Sequence, residues 1–497
     1  MGEHSLISPE KFDVVVVGTG LVESLVAASA AYCGVKVLQI DAVSYYGGTS
    51  STLPCRELAE HFKGACRVYD AVDEFASVLE PRLLARALFD VSPKVLYGDG
   101  PLISLLLKTG AHNYTEFKLV RGRLMWQDSS SSFVPIAASR AEIFKDTSMS
   151  LKQKHVLMKT LKGILGEEED VDLTGELLAR FGCDDVDLVD RFVHGVLLRH
   201  DVSKLSTSEA RNLVELYGRS GGKYGPGTGP FLYPIHGTAE LSQAFCRTAA
   251  VHGATQCLRC HVEEIRYKER AYHIRLANGQ VIHASSIAAS QECLPHPAQV
   301  HVCWEKDRET VCRCYALVLG RVFMDHHQCL SVIPRGSAQG MAVWMLQLDD
   351  STYHCPSGWS CLHVWTVHKG NSEVDCVAEL KGVLQRHLDC STIFKEEQSP
   401  GHERPKVAFA CFVASESCTP DGQSALPNFA VCHNHPGDVS FIHARDEAIR
   451  SFGIVCPEHK FPFDDAEIAN GINHDEMAGS DQEEESMLSA LEEALAE

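Results

Sequence analysis

Apolar and polar positions at the start of the chain follow the order strand, turn, helix, strand. A β-branched apolar run over residues 12–17 predicts a buried parallel strand. Gly18 and Gly20 open a tight turn, and the apolar stretch 21–33 predicts a helix that crosses over to a second strand. That strand ends at Asp41, where dinucleotide-binding β-α-β units carry an acidic residue. We therefore predict that the chain begins with a dinucleotide-binding fold.

One position in this turn departs from the phosphate-binding pattern. The third glycine of such turns is replaced here by Glu23. A carboxylate in the first helical turn stands where a pyrophosphate uses the helix N-terminus, and two like charges about 4 Å apart repel by ~1–4 kcal/mol at moderate dielectric. We predict that the fold is kept, and that the degenerate turn (Gly18, Gly20, Glu23 and Asp41) binds no cofactor.

The middle of the chain has helical periodicity. In residues 151–165 apolar side chains recur with helical spacing, and Lys152, Lys154, Lys159 and Lys162 are predicted to occupy the other faces. Two more helical stretches are predicted at 186–199 and 208–219, before a glycine-rich loop at 220–230. Residues 139–222 are thus predicted to form a small helical domain inserted in an α/β domain.

Strand patterns return after the glycine-rich loop. Residues 273–276 and 281–284 flank Asn278-Gly279, a strong hairpin signal. A chain that leaves a dinucleotide-binding unit, forms a second module and returns has the layout of two-domain flavoproteins. The predicted fold is therefore α/β (α+β) with two domains. We predict domain I at 1–138 and 223–460, helical domain II at 139–222, and a C-terminal tail at 461–497.

Charge and composition limit the classes of partner. The net charge is −21, and residues 464–497 contain twelve acidic residues and no Lys or Arg. Such a tail is typically solvated and mobile, and the acidic balance argues against nucleic acid as a partner. Twenty cysteines without a signal-peptide pattern indicate reduced thiols in the cytoplasm. With no apolar run of 18 residues, no membrane span is expected.

The sequence contains no motif that supplies catalysis. A nucleophile elbow, a Walker A loop and an H-E-x-x-H helix are all missing from the sequence. Cys257, Cys260 and His261 match the haem-attachment pattern C-x-x-C-H, but they stand at a strand-like start and no second cysteine pair has zinc spacing. We therefore expect no metal and no catalytic residue, and infer a binding protein built on an enzyme fold.

Several segments resemble the Rab GDP-dissociation inhibitor and Rab escort protein superfamily. They are the glycine turn with Glu23, the YYGG sequence at 45–48, and residues 92–110, 114–118 and 229–247. The resemblance extends to about residue 290, and beyond residue 300 only FGIVCP at 452–457 resembles an escort protein. It implies an FAD-oxidase-like (GDI-like) domain I with parallel and antiparallel sheets, an inserted helical domain II and no bound flavin.

The family resemblance also implies a function and its residues. Members are not catalysts; they bind the GDP form of Rab GTPases on domain I and shield the geranylgeranyl groups in or beside domain II. By motif, the Rab-binding platform comprises Tyr46, Glu240 and Arg247, and the mobile effector loop comprises Lys223, Tyr224 and Phe231. Glu240 and Arg247 are two helical turns apart, so both can face one partner. The alternative for these two is an ion pair on the helix surface.

A further motif separates escort proteins from dissociation inhibitors. Escort proteins dock on the alpha subunit of Rab geranylgeranyltransferase through a pattern that resembles residues 134–159, with Phe144 as the aromatic anchor. His155 stands where other escort proteins have arginine, a substitution that loses bidentate bonding, and the neighbouring Lys154 could compensate. The alternative for Phe144 is a core position.

The resemblance therefore implies a non-catalytic escort protein. It would present unprenylated Rab to the transferase and deliver the product to membranes, which it contacts transiently. Two alternatives remain open: a dissociation inhibitor that recycles prenylated Rabs, and, from another class of protein, an FAD-dependent oxidoreductase.

Overall fold

A computed structural model gives the fold of most of the chain. The described residues are 6–62, 67–71, 81–137, 140–167, 169–173, 175–180, 182–183, 185–200, 205–294, 309–334, 342–369, 373–390, 404–417 and 426–463. The predicted acidic tail, from residue 464 onward, lies outside the described residues.

The strands, in chain order, are β1 Lys11–Val17, β2 Val37–Ile40, β3 Thr52–Pro54, β4 Arg67–Ala71, β5 Leu88–Asp90, β6 Leu96–Tyr97, β7 Phe117–Leu119, β8 Gly122–Gln127, β9 Ser132–Pro135, β10 Phe231–Pro234, β11 Thr255–Cys257, β12 Val262–Lys268, β13 Ala271–Leu276, β14 Val281–Ser290, β15 Glu309–Leu319, β16 Cys329–Ile333, β17 Val343–Leu348, β18 Trp359–Lys369, β19 Lys406–Ser417 and β20 Phe429–Cys432. The helices are α1 Leu21–Tyr32, α2 Cys55–Phe62, α3 Pro81–Arg86, α4 Pro101–Lys108, α5 Arg140–Lys145, α6 Leu151–Gly166, α7 Gly175–Arg180, α8 Val186–Asp190, α9 Thr207–Ser220, α10 Ala239–Val251, α11 Glu373–His387 and α12 Ala444–Val455.

Two large sheets organise the fold. The first has the order β11-β2-β1-β14-β13-β12, with β20 also paired to β14; its β11, β2, β1, β14 and β20 are parallel, and β13 and β12 are antiparallel. The second has the order β4-β19-β15-β18-β17-β16-β8-β9 and is antiparallel except between β16 and β8. This architecture confirms the predicted fold class, with parallel and antiparallel sheets.

Most predicted elements form close to their predicted positions. The crossover helix is α1, and the helix predicted at 151–165 is α6, which begins with a capping box between Ser150 and Gln153. The hairpin around Asn278-Gly279 joins β13 to β14, and Gly279 has a φ of +84° that suits the turn. The local patterns therefore located these elements because each depends on neighbouring residues.

The helix predicted at 186–199 is wrong in its second half. The regular helix ends at Asp190, and Arg191–Val196 form a π-helical turn. Residues 191–198 are all buried, so their apolar sequence carries no periodicity from which the change could be predicted. The turn begins at Arg191, whose guanidinium is 3% exposed and forms ion pairs with Asp187 at 3.0 Å and Asp146 at 3.3 Å.

The inserted helices share their core with the second sheet. Leu157, Phe192 and Tyr217 belong to the same cluster of buried side chains as Trp344 of β17 and Trp365 of β18. The helical segment therefore packs on this sheet rather than around a separate core. Domain boundaries at 138 and 222 stay a prediction.

The structure also bears on the expectations of reduced thiols and of no membrane span. The expectation of reduced thiols is wrong at Cys312, which is disulfide-bonded, while cysteines such as Cys257 and Cys260 carry free thiols. Among the helices that the structure describes, none has the length and apolar character needed to cross a membrane.

Candidate functional site

The glycine turn is closed from inside the protein. Glu23 is fully buried, and the Asn434 side-chain amide donates to both of its carboxyl oxygens, at 3.1 and 3.2 Å. The Asn434 carbonyl oxygen in turn accepts the Val22 amide at 3.3 Å, at the start of α1. The carboxyl of Glu23 also accepts a backbone hydrogen bond from its own residue. Donors that would bind a pyrophosphate at this helix N-terminus therefore already have partners.

The charge state of Glu23 changes the reason why a cofactor does not fit. Burial raises the pKa of Glu23 to about 8, although its backbone and Asn434 hydrogen bonds oppose this shift. At neutral pH the carboxyl is thus largely protonated, so the predicted repulsion of a pyrophosphate is weaker than the sequence indicates. The obstacle is the carboxyl group itself, which fills the place of the phosphate.

The other polar groups of the turn are also engaged. Asp41 accepts hydrogen bonds from the Thr19 amide at 2.9 Å, the Thr19 hydroxyl at 2.7 Å and the Val43 amide at 3.1 Å. Across the turn, the Gly47 amide donates to the Thr19 carbonyl at 3.1 Å, and a Cβ on Gly48 would lie 3.3 Å from Gly20. The loop that carries Tyr46 therefore covers the turn, and these residues do not fit a flavin dinucleotide.

The three predicted platform residues present polar groups at one surface. Arg247 is exposed on α10, with its guanidinium 4.3 Å from the ring centre of Tyr114, and Glu240 is half-buried two turns earlier. Tyr46 is half-buried and close enough to Cys246 for their charges to interact. Burial raises the pKa of Glu240, and the charge of His236 opposes this shift.

The three groups have neither an ion pair nor a side-chain hydrogen bond in the part of the chain that the structure describes. Glu240 and Arg247 form no ion pair, with each other or with any other described residue, and the Tyr46 hydroxyl forms no hydrogen bond there. The alternative of an ion pair on the helix surface is therefore wrong. An exposed cation, a half-buried carboxylate and a phenol remain available to a partner.

The predicted effector loop divides into surface and core residues. Lys223 forms an ion pair with Asp99, and the Tyr224 hydroxyl donates to the Gly98 carbonyl at 2.9 Å. Phe231 instead lies in β10, is 1% exposed and packs against Tyr97 with ring centres 5.1 Å apart. Phe231 is therefore part of the core, and only Lys223 and Tyr224 belong to a loop surface.

Among the predicted docking residues, Lys154 lies in a different place from the one expected, and the docking roles of Phe144 and His155 stay predictions. Phe144 is half-buried on the short helix α5. Lys154 is 7% exposed, and its ammonium donates to the Phe144 carbonyl at 2.7 Å. The expectation that Lys154 lies on an outer face and replaces a surface arginine is therefore wrong, because it holds the end of α5. His155 is half-buried, and its Nδ1 has no hydrogen-bond partner among the described residues.

A buried aspartate that sequence reasoning missed anchors the platform helix. Asp90 accepts hydrogen bonds from the Thr52 hydroxyl at 2.5 Å, the Thr238 amide at 2.8 Å, His354 at 3.2 Å and the Tyr233 hydroxyl. Thr238 immediately precedes α10, which carries Glu240 and Arg247. No local signal marks Asp90, since its partners come from three separate segments of the chain.

A cleft of about 970 Å³ adjoins the loop with Lys223 and Tyr224. Its apolar lining includes Ile103, Leu107 and Phe117, so it lies on domain I and outside the predicted helical domain. A cleft of this volume is at the upper end of the range that holds small-molecule ligands.

One group of side chains near this cleft has the composition of a metal site. His327, Asp349 and Asp350 offer ligand atoms within 4.8 Å of one another. Asp349, however, is 1% exposed in its side chain and already pairs with Arg321 at 2.9 Å and His327 at 2.8 Å. Because the Arg321 guanidinium supplies the positive charge, we interpret the group as an ion-pair cluster that fixes the backbone after β17.

Comparisons with known proteins fit this geometry. A Saccharomyces cerevisiae protein named "Rab proteins geranylgeranyltransferase component A" is 32% identical over 264 residues, which cover 50% of this chain and 43% of that protein. Arabidopsis thaliana "Rab escort protein 1" is 26% identical over 436 residues, 73% of this chain and 77% of that protein. The chain spans less than two thirds of the length of the first curated relatives that it matches.

A solved structure and a family model extend the comparison. The crystal structure of Rab GDI from Plasmodium falciparum has a TM-score of 0.70 and 18% identity, covering 90% of this chain and 98% of that chain, which shows a shared fold. The family model described as "GDI: GDP dissociation inhibitor" matches residues 8–322. Since that match spans more than half of the 497 residues, the chain belongs to the GDP dissociation inhibitor (GDI) family.

Proposed function

We propose that this chain binds the GDP form of a Rab GTPase through Tyr46, Glu240 and Arg247, and acts as the escort in Rab geranylgeranylation. The observation that carries the proposal is that Glu240 and Arg247, two turns apart on α10, form no ion pair with any described residue, and that the Tyr46 hydroxyl forms no hydrogen bond there. Arg and Tyr are the residue types that dominate protein interfaces. The names of the yeast and Arabidopsis relatives support escort activity.

The way α10 is held supports a binding role for this surface. Asp90 fixes the residue before the helix, and Tyr114 lies against Arg247 at its middle. A binding surface on a rigid element loses little conformational entropy when a partner docks. The platform is therefore preorganised for a partner.

The rest of the proposal concerns the lipid and the transferase. The transferase supplies the metal and the chemistry, and this chain is its non-catalytic accessory subunit in the cytosol. The exposed apolar side chains Leu151, Leu165 and Val186 of the helical segment, together with the cleft beside Lys223 and Tyr224, offer apolar surface for the geranylgeranyl groups. Burying a 20-carbon chain out of water contributes on the order of 10 kcal/mol as an upper limit, so even a shallow apolar groove could hold it.

The deciding experiment is geranylgeranylation of a purified Rab by the transferase, with and without this chain. An escort protein stimulates transfer, because it presents the Rab to the transferase. A dissociation inhibitor instead binds prenylated Rab and leaves the reaction unstimulated, so that outcome would favour the alternative. A visible flavin spectrum in the purified protein would favour the oxidoreductase.

We expect Arg247→Glu to weaken binding of a GDP-form Rab by roughly 30-fold, because it reverses the charge at the platform centre. Isothermal titration calorimetry measures this change. Arg275→Glu is the matched control, since Arg275 is a similarly exposed arginine on β13. Equal affinities for the two variants would remove Arg247 from the platform.

Phe144→Ala is expected to lose most of the stimulation of geranylgeranylation while it keeps Rab affinity, because a docking anchor acts only on the transferase. The assay compares transfer rates with calorimetric affinity for the Rab. Phe461→Ala is the control, since Phe461 is another half-buried aromatic, which packs on Phe452. Unchanged stimulation by Phe144→Ala would assign Phe144 to the core instead.

A further inference from the structure

Two exposed aromatic rings stack beside the platform carboxylate. His236 and Tyr353 have ring centres 4.8 Å apart and planes inclined by 22°. Tyr353 is 61% exposed, although aromatic residues of this size are usually buried. His236 directly precedes Gly237, whose carbonyl accepts the Glu240 amide at 3.3 Å, so the stacked pair adjoins the start of α10. The charge of His236 also lowers the pKa of Glu240, which is consistent with this position. We call His236, Tyr353 and Glu240 the aromatic-acidic patch.

Both rings are carried on backbone that only glycine adopts readily. The φ angles of His236 and Tyr353 are +68° and +58°. A left-handed conformation is strained at a non-glycine residue and persists where the surroundings enforce it, often at functional sites. Two backbone hydrogen bonds hold these conformations. The His236 amide donates to the Thr352 carbonyl at 3.0 Å, and the Tyr353 amide donates to the Asp350 carbonyl at 3.1 Å.

The segment around Tyr353 is anchored at both ends. Before it, Asp349 pairs with Arg321 and accepts the Ser351 hydroxyl at 2.6 Å. After it, His354 is fully buried and bonds to Asp90. The two rings are therefore held at the surface by buried polar contacts, so no rearrangement is needed to expose them.

Glu240 has no lysine or arginine partner among the described residues. It is half-buried, and no described Lys or Arg lies within ion-pair distance of it, although the charge of His236 acts on it. A carboxylate near an exposed phenol ring such as that of Tyr353 is a setting in which a guanidinium or ammonium group gains both an ion pair and a cation–π contact.

We propose that the aromatic-acidic patch receives an arginine or lysine side chain of the bound GTPase, and so extends the platform from α10 to the segment after β17. This inference rests on the proposed function and adds two residues to it, His236 and Tyr353. The cation pairs with Glu240 while its flat or apolar part lies against the Tyr353 ring. The patch then selects among GTPases by whether they carry a cation at that position.

The test measures the affinity of a GDP-form Rab for the full chain by calorimetry. Tyr353→Asn removes the ring and keeps a residue type that tolerates positive φ, and we expect about tenfold weaker binding. His236→Asn and Glu240→Gln are expected to weaken binding to a similar extent. Tyr353→Phe keeps the ring and should keep wild-type affinity. Because both groups contact one cation, Tyr353→Asn combined with Glu240→Gln should weaken binding by less than the product of the single effects.

Tyr32→Asn is the matched control. Tyr32 is 53% exposed and also packs on a histidine, His252, with ring centres 5.1 Å apart, but that pair lies at the other end of α10. One result would overturn the patch and keep the platform: Arg247→Glu weakens Rab binding, but Tyr353→Asn and His236→Asn bind Rab as well as the Tyr32→Asn control does. If the wild-type chain binds no Rab, the proposed function fails and the patch fails with it.

Discussion

Asp90→Asn is expected to lower the free energy of unfolding by about 3–5 kcal/mol, the range measured when one member of a buried charged network is removed. Asp90 is fully buried and accepts hydrogen bonds from Thr52, Tyr233, Thr238 and His354. Asparagine keeps the size of the side chain but replaces one acceptor by an amide that donates. That amide then faces other donors, so at least one buried donor loses its partner.

The pKa of Asp90 indicates how strongly the site favours the charge. Burial by itself raises this pKa, but the hydrogen bond and charge of His354, with the charge of His363, hold it well below its ordinary value of 3.8. A lowered pKa stabilises the fold above the pKa of the unfolded state, and this contribution is lost only as the pH falls through the folded-state pKa. The full effect of the substitution is therefore expected at neutral pH.

Urea unfolding followed by circular dichroism measures the loss. Asp13→Asn is the control, because Asp13 is exposed and accepts a single backbone hydrogen bond, from Lys36; its loss should stay below about 1 kcal/mol. We also expect weaker Rab binding by the folded fraction of Asp90→Asn, since Thr238 holds the start of α10. A loss no larger than that of the control would show that the network does not anchor the platform.

Elements that depend on neighbouring residues could be predicted from the sequence, whereas side-chain partners from distant segments could not. The β-α-β unit, α6 and the hairpin at Asn278-Gly279 follow from spacing alone. The bond between Glu23 and Asn434 joins residues 411 positions apart, and no pattern in the sequence marks it. The sequence thus predicted both charge repulsion and a steric clash from the Glu23 side chain, and the raised pKa of Glu23 leaves the clash as the stronger reason.

Periodicity also failed where a polar side chain turns inward. Lys154 was expected on an outer face of α6, but it is buried because its ammonium bonds to the end of α5. The stack of His236 and Tyr353 could not be predicted either, since the second residue lies in a part of the chain without family resemblance. Sequence reasoning therefore located α10 and missed the contacts that hold it, and the binding role of Glu240 and Arg247 stays a prediction.

Glu23→Gln is expected to change how stability depends on pH. The pKa of Glu23 is about 8 in the folded protein, raised by burial from an ordinary value of 4.5. A raised pKa stabilises the fold fully below the unfolded-state pKa, and this contribution is lost as the pH rises through the folded-state pKa. Between about pH 5 and pH 8 the wild type therefore loses about 1.4 kcal/mol per pH unit through this group. Glutamine does not titrate. The free energy of unfolding of the variant, relative to that of the wild type, should therefore rise by about 3 kcal/mol between about pH 5.5 and pH 7.5.

The difference between the two unfolding free energies, measured in urea at several pH values, isolates this group, because all other titrating side chains are shared. The amide also loses one acceptor for Asn434, which lowers stability by the same amount at every pH and leaves the slope unchanged. Glu263→Gln is the control, since Glu263 is an exposed glutamate on β12 and lacks the burial that acts on Glu23. A flat difference for Glu23→Gln would mean that the carboxyl is ionised throughout, and that charge, not occupancy, keeps a pyrophosphate out of the turn.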